Sequence, residues 1–274
     1  MSATSTLPSR TAHPVSFLGV LRSEWIKLTT VRSTYWTIGI AVLLAFGMAA
    51  LLGLTFSLPG SGAPAGAAAA FGLQAATISL TFVALPIAVL GALAVTGEYG
   101  TGMIRSSFQA VPRRLPVLAA KAIVIGATGL VVGLVTTFGS FLIAAPLMGA
   151  QGTAPALSDE GTVAGLIGGA VYLAVVAVFG LGVGALVRNS AAAISIAVGL
   201  LFVAPIVLSL LGALLQAEWA QEASKYLLSN AGADLYAPPA GGVLELPIAL
   251  AALAGWLLAA WIPALVLTRT RDVS

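Results

Sequence analysis

The sequence predicts an all-α integral membrane protein with six transmembrane helices and both termini in the cytoplasm. Three observations lead to this fold class. Hydrophobic residues make up 59% of the 274 residues and charged residues only 8%, whereas average soluble domains carry about 25% charged residues. The apolar residues gather into six runs long enough to cross a bilayer. The basic residues fall almost entirely in the loops on one side of those runs.

The first 33 residues predict a tail followed by an amphipathic helix. Residues 1–15 are rich in Ser, Thr and Pro and lack the apolar segment of a signal peptide, so we expect a disordered tail. Residues 16–33 carry apolar side chains at helical spacing, while other faces carry Arg22, Glu24 and Lys27. This pattern predicts a helix at the inner membrane interface, anchored by Trp25. It either only lies on the membrane or also docks a cytoplasmic partner.

The transmembrane domain is predicted to cover residues 34–268. A spanning helix needs roughly 20 apolar residues. Six runs meet this requirement, and none contains Asp, Glu, Lys, Arg or His: 35–56, 71–96, 122–147, 162–187, 191–215 and 246–268. Residues 269–274 would form a cytoplasmic tail.

The orientation follows from the basic residues. Eleven of the twelve Lys and Arg residues lie before span one, between spans two and three, between spans four and five, or after span six. Only Lys225 lies on the other side. The basic side is cytoplasmic by the positive-inside rule, and the split would fail if one span were missed. The chain is thus predicted to be a multi-pass protein of the plasma membrane. In a bacterial cell this would be the inner membrane.

Small and polar side chains within the spans predict helix contacts. In the third span they recur at intervals of three and four and share one face, at Gly126, Gly129, Gly133, Thr136 and Ser140. The fourth span holds the pairs Gly165/Gly169 and Gly180/Gly184. Such residues let backbones approach closely. They indicate either packing within one subunit or a subunit interface or translocation wall.

The second span carries Gln74, Thr77 and Thr81 on one face. These side chains either line a polar path through the membrane or form hydrogen bonds between helices.

Several kinds of chemistry are excluded by what the sequence lacks. There is no cysteine, and the one histidine lies in the N-terminal tail, so disulfides, thiolate metal sites and histidine metal clusters are excluded. No Lys follows a Gly, so there is no P-loop for ATP. The apolar runs carry no Asp, Glu, Lys, Arg or His to relay protons. A chain that moves a solute under these constraints takes its energy from elsewhere or acts passively.

The cytoplasmic loop at residues 97–121 concentrates charge and glycine. Its Gly97, Gly100 and Gly102 resemble a hinge, and Thr101 is predicted to N-cap a short helix through about Ala110. A basic loop that only orients the protein and binds anionic lipid accounts for Arg113 and Arg114.

Glu98 does not fit that simpler interpretation, because it lies at a helix C-terminus, where positive charge is favoured. We therefore predict that Glu98 pairs with a cation, either Arg105 or Lys27.

Three segments together resemble the ABC-2 type transporter permeases, in the form common in actinobacteria. They are LRSEWIKLTTVRSTYWT before span one, TGEYGTGMIRSSFQAVPRRLPVLAAK after span two and YLLSNAGADLY before span six. The resemblance covers nearly the whole chain, and the segment from Glu98 to Arg105 is its most specific part.

The resemblance implies a coupling helix at residues 101–110 and an interfacial helix at residues 16–31. The coupling loop would act through Glu98, Tyr99, Gly100, Thr101, Ile104, Arg105, Arg113 and Arg114. The interfacial helix would act through Arg22, Glu24, Trp25 and Lys27. A short outer helix near Trp219 and Tyr226 would cap the outer end of the pathway or lie on the membrane surface.

The resemblance also implies partners. Two permease chains, identical or different, would work with two P-loop ATPase subunits that bind ATP and Mg²⁺, so this chain would hold no cofactor, bind no nucleic acid and be no enzyme. The leading hypothesis is an exporter of a hydrophobic or amphipathic substrate. The alternatives are a non-transporting membrane anchor or sensor that recruits an ATPase, and, with less support, a secondary transporter.

Overall fold

A computed structural model describes residues 16–57, 67–103, 114–149, 154–239 and 241–270. Throughout these ranges the regular structure is helical. The helices are α1 (Phe17–Thr30), α2 (Arg32–Ser57), α3 (Ala68–Thr77), α4 (Leu80–Thr101), α5 (Arg114–Met148), α6 (Thr162–Val187), α7 (Ser190–Val198), α8 (Ala204–Leu214), α9 (Glu218–Lys225), α10 (Leu228–Ala233) and α11 (Leu246–Thr270), with a π-helical turn, Gly199–Val203, between α7 and α8.

Six helical segments of the described chain are long and apolar enough to cross a membrane. They are α2, α3 with α4, α5, α6, α7 with α8, and α11. The predicted fold class and the number of spans are confirmed.

Two spans are less regular than the sequence suggested. The second consists of α3 and α4, which meet at Ile78 and Ser79. The fifth contains the π-helical turn just before Pro205. Proline has no N–H to donate and its ring disfavours regular α-helix in the preceding turn. The π-helical turn is a single one inside an α-helix, which is the form that π-helix mostly takes in proteins.

The helix ends on the cytoplasmic side differ from the predicted span ends. α4 continues to Thr101, five residues past the end of the apolar run at Thr96, and α5 begins at Arg114, eight residues before Ala122. The predicted loop at 97–121 is therefore helical at both ends. A span predicted from apolar residues ends at the first charged residue. These helices continue past that point because their charged residues neutralise one another.

α6 is the central helix of the fold and packs against α4, α5 and α11. Its glycines allow close approach. A Cβ at Gly184 would lie 2.7 Å from the carbonyl oxygen of Ala92 on α4, and one at Gly129 on α5 would lie 2.9 Å from that of Leu173. The glycine faces of spans three and four thus pack against helices of the same chain. The interpretation as packing within one subunit is the one the structure supports.

The segment between α8 and α11 folds over the outer end of α6. The Tyr236 ring packs against that of Tyr172, with centroids 5.8 Å apart. The Asp234 carboxylate accepts hydrogen bonds from the N–H groups of Val243, at 2.7 Å, and Leu244, at 3.2 Å. On the outer helix α9, Trp219 is exposed, as the prediction of an outer surface helix requires.

Candidate functional site

Four charged side chains from three helices meet near the cytoplasmic end of the bundle. Glu24 and Lys27 come from α1, Glu98 from α4 and Lys121 from α5, and we call them the inner charge cluster. The Lys27 Nζ lies 2.8 Å from Glu24 Oε1 and 2.8 Å from Glu98 Oε1. The Lys121 Nζ lies 2.5 Å from Glu24 Oε2 and 2.9 Å from Glu98 Oε1. Each ammonium group therefore bridges both carboxylates.

The inner charge cluster is almost entirely removed from solvent. The side chains of Glu24, Glu98 and Lys121 are 4%, 5% and 4% exposed, and that of Lys27 is 27% exposed. Burying a charge costs several kcal/mol unless a partner compensates it. The two carboxylates and two ammonium groups balance in number, which is why all three helices can carry charge into the protein.

The electrostatics of Lys27 keep it protonated at neutral pH. Partial burial of the amine lowers its pKa, but the hydrogen bonds and negative charges of Glu24 and Glu98 outweigh that effect and raise the pKa above 10.5. Lys27 thus remains an ammonium group that holds α1 against α4.

α1 is positioned at the cluster by its N-terminal cap and by an apolar contact with α5. The Ser16 Oγ accepts a hydrogen bond from the Gly19 N–H at 3.1 Å and caps the helix. Val20 packs against Val117 and Ala120 of α5.

Glu24 lies on a different face of α1 from the predicted apolar residues, yet it is buried in the protein and only 4% exposed. Trp25 is 52% exposed, as an anchor at the interface would be, and Arg22 is also exposed. The charged partners on α4 and α5 allow α1 to turn charged residues toward the protein rather than toward solvent.

The predicted ion pair of Glu98 is confirmed for Lys27. The second candidate, Arg105, lies outside the described residues, as do Ile104 and Arg113. From the sequence, Lys121 is not distinguishable from the other basic residues of the loop at 97–121, except by its place at the end of the charged stretch, directly before an apolar run.

The loop between α6 and α7 makes a second connection to the end of α4. Arg188 has a left-handed conformation, φ 58°, and ends α6. Its guanidinium carbon lies 5.1 Å from the centroid of the Tyr99 ring, and its Nη2 donates to the Leu267 carbonyl of α11 at 3.0 Å. The Ser190 hydroxyl donates to Thr96 Oγ1 at 2.9 Å. The last turns of α4 are therefore held by α1, α5 and α7 and by Arg188 at the end of α6, which in turn is held by α11.

Glycine defines where α4 ends. Gly102 has φ 73° and forms the left-handed C-cap of the helix, a conformation that glycine adopts at little cost. Most of the helix predicted to follow Thr101 as its N-cap, through about Ala110, lies outside the described residues and stays a prediction. Thr101 is the last residue of α4, and its hydroxyl donates back to the Gly97 carbonyl at 2.9 Å. Gly97 and Gly100 are helical, and a Cβ at either would meet no atom within 4 Å.

The other predicted residues lie in two places. Thr136 and Ser140 are fully buried in α5, and the Thr136 hydroxyl donates to the Val132 and Gly133 carbonyls of its own helix, which favours helix packing for Thr136. Gln74, Thr77 and Thr81 lie together on one wall of an outer pocket of about 440 Å³. The Thr77 hydroxyl donates to the Leu73 carbonyl.

A family model described as ABC-2 family transporter protein matches residues 20–205. The chain belongs to this family. The match covers about two thirds of the chain and includes all of the inner charge cluster. No curated protein matches the chain.

Membership of the ABC-2 family establishes the general role of the chain. It is a multi-pass membrane component of a transporter. Proteins of this family have no ATPase site of their own and work with an ABC ATPase subunit. Within the described residues, no group of three or more His, Cys, Asp or Glu could hold a metal ion.

Proposed function

We propose that this chain is the permease subunit of an ABC exporter and that the cytoplasmic ends of α1, α4 and α5 take up the motion of a separate ATPase. One observation carries the proposal. The inner charge cluster ties the end of α4, where the predicted coupling segment 101–110 begins, to α1 and α5.

The cluster makes the three helix ends a single mechanical unit. Separating them would leave buried charges without partners, at a cost of about 3–5 kcal/mol for each broken pair. A push on the segment after Thr101 therefore moves α1 and α5 together with α4. Because α4 and α5 both pack along α6, the movement reaches the centre of the membrane domain.

We propose the partners and the cofactor assignment that the family resemblance implies. Two ATPase subunits bind ATP and Mg²⁺, and a second permease chain completes the pathway, while this chain holds no cofactor. The Glu98–Arg105 segment with Tyr99, Gly100, Thr101 and Ile104 contacts the ATPase, and Arg113 and Arg114 lie at the membrane surface. The apolar spans with scattered Ser, Thr and Gln suit a hydrophobic or amphipathic cargo, exported across the plasma membrane of a bacterium.

The experiment is a mild-detergent pull-down of the tagged chain, co-expressed with a candidate P-loop ATPase, followed by an ATP hydrolysis assay. Glu98→Ala and Arg105→Ala are compared with Glu222→Ala, which removes an exposed ion pair with Lys225 on the outer helix α9. We expect the ATPase to co-purify, and either of the first two substitutions to weaken its capture or its turnover. Glu222→Ala should match the wild type.

The same preparation separates the exporter from the alternatives. If the ATPase is captured but no dye or lipid cargo accumulates in inverted vesicles with ATP, the chain is an anchor or sensor. If no ATPase is captured even when the candidate is co-expressed, the proposed function is wrong, and the loop only orients the protein and binds lipid.

A further inference from the structure

A cavity of about 390 Å³ opens beside the inner charge cluster, between α1, α2, α4 and α5. Its volume falls within the range of roughly 300–1,000 Å³ that is typical of small-molecule sites. The cluster accounts for its charged lining, but nothing in the coupling proposal uses the cavity itself.

The lining changes from polar to apolar with depth in the membrane. On α4, Glu98 is followed toward the membrane centre by Leu93 and Leu90. With a rise of about 1.5 Å per residue, Leu90 lies about 12 Å deeper than Glu98. On α5, Lys121 is followed one turn deeper by Val124 and Ile125. This order, polar at the surface and apolar below, is that of one leaflet of a bilayer.

One oxygen of Glu98, a residue that lines the cavity, lacks a donor. The Oε1 atom of Glu98 accepts from both Lys27 and Lys121. Its Oε2 atom is buried and has no hydrogen-bond partner in the part of the chain that the structure describes. A buried carboxylate oxygen without a donor is costly and uncommon. A ligand with N–H groups would satisfy it.

The same cavity has a feature that favours an anion. Ser33 and Thr34 line it and lie in the first turn of α2, a helix of 26 residues. The N–H groups and the dipole at the start of a helix attract negative charge. A cation acceptor and an anion-favouring helix end therefore share one cavity.

We infer that this cavity binds one inner-leaflet lipid whose headgroup is zwitterionic and carries a primary ammonium, as in phosphatidylethanolamine. The ammonium donates to Glu98 Oε2, the phosphate lies at the start of α2, and an acyl chain runs along Leu93 and Leu90. A neutral headgroup suits a cluster in which two carboxylates already balance two ammonium groups. Phosphatidylcholine has the same phosphate but no N–H to donate.

Native mass spectrometry of the purified chain tests this binding directly. The chain is released from micelles doped with equal amounts of phosphatidylethanolamine and phosphatidylcholine. Gly97→Leu is the blocking variant, since Gly97 lines the cavity and has open space around its Cβ position. Gly100→Leu is the matched control, because its surroundings are equally open and it does not line the cavity.

We expect one molecule of phosphatidylethanolamine to be retained over phosphatidylcholine by about tenfold, the effect of one charge-assisted hydrogen bond. Gly97→Leu should abolish this preference, Glu98→Gln should reduce it, and Gly100→Leu should keep it. Equal retention of the two lipids, retention of neither, or an unchanged preference in Gly97→Leu would overturn the inference. No ATPase is needed, so the result is independent of the proposed function.

Discussion

At the scale of single residues, the fold depends on the inner charge cluster, in which three of the four side chains are almost fully buried. Glu24, Glu98 and Lys121 are each at most 5% exposed as side chains. Such a cluster stabilises the fold only while it is complete, because each missing partner leaves a buried charge unpaired. The contrast is the exposed pair of Glu222 and Lys225 on α9, for which the expected contribution is about 0–1 kcal/mol.

Lys121→Met should lower the free energy of unfolding by about 3–5 kcal/mol, since two buried carboxylates would then share one ammonium group. The measurement is denaturant unfolding in mixed micelles. Lys225→Met is the control and should change stability by less than about 1 kcal/mol. Equal effects of the two substitutions would show that the cluster contributes no more than a surface pair.

The raised pKa of Lys27 has a consequence at high pH. A lysine whose folded-state pKa lies above its ordinary 10.5 contributes stability that is fully present below that value. The contribution is lost as the pH rises through the raised folded-state pKa. The difference in unfolding midpoint between wild type and Lys27→Met should hold constant up to about pH 10 and shrink above it. A difference that grew above this pH would contradict the sign of the shift.

At the scale of helices, close contacts around α6 hold the bundle together. In lipid there is no hydrophobic drive between helices, so packing and hydrogen bonds must hold them. Glycines provide the packing, because a side chain would meet the backbone of the neighbouring helix. The Thr137 hydroxyl adds a hydrogen bond to the Leu166 carbonyl of α6 at 3.0 Å.

Gly180→Ala should destabilise the protein by about 1–3 kcal/mol, because the added methyl group would clash with the Ala88 carbonyl of α4. Gly47→Ala is the matched control within a membrane helix, since its Cβ position is open. That control should be neutral or stabilising by up to about 1 kcal/mol. Thermal unfolding of the two variants in the same detergent gives the comparison, and equal midpoints would refute the contact.

The sequence was sufficient for the helices and partly sufficient for the site. Apolar run length identified all six spans, and the anomalous charge of Glu98 identified its pair with Lys27. The features that the sequence did not predict depend on tertiary contacts. The inward position of Glu24 and the role of Lys121 depend on which helices meet, and the hydrophobic pattern of α1 alone gives no sign of an ionic partner on α5. The end of α4 was misplaced because charged residues that neutralise one another can extend a membrane helix.

At the scale of the whole molecule, different charged groups lie on the two sides of the membrane. The inner charge cluster and Arg188 lie on the side of the basic loops, and the segment around Asp234 closes the outer end of α6. The spans α2, α7 with α8, and α11 expose most of their apolar surface, while α6 is enclosed. This arrangement places the rigid core at the centre and the exposed helices at the edge.

The orientation can be tested because the chain has no cysteine. In intact cells, a membrane-impermeant maleimide should label Glu160→Cys, which is exposed in the outer loop before α6, and should not label Ser23→Cys, which is exposed on α1. Both should react after permeabilisation. Labelling of Ser23→Cys in intact cells would place α1 outside and contradict the charge asymmetry.

We propose that the inner charge cluster transmits the motion of the ATPase. Its most direct test is a double-mutant cycle on ATP turnover in the reconstituted complex, with Glu98→Gln, Lys121→Met and the two combined. If the cluster acts as one unit, each single substitution lowers turnover about tenfold or more, capture of the ATPase persists, and the double variant is no worse than the poorer single one. Turnover equal to that of wild type, or losses that simply multiply, would contradict the account.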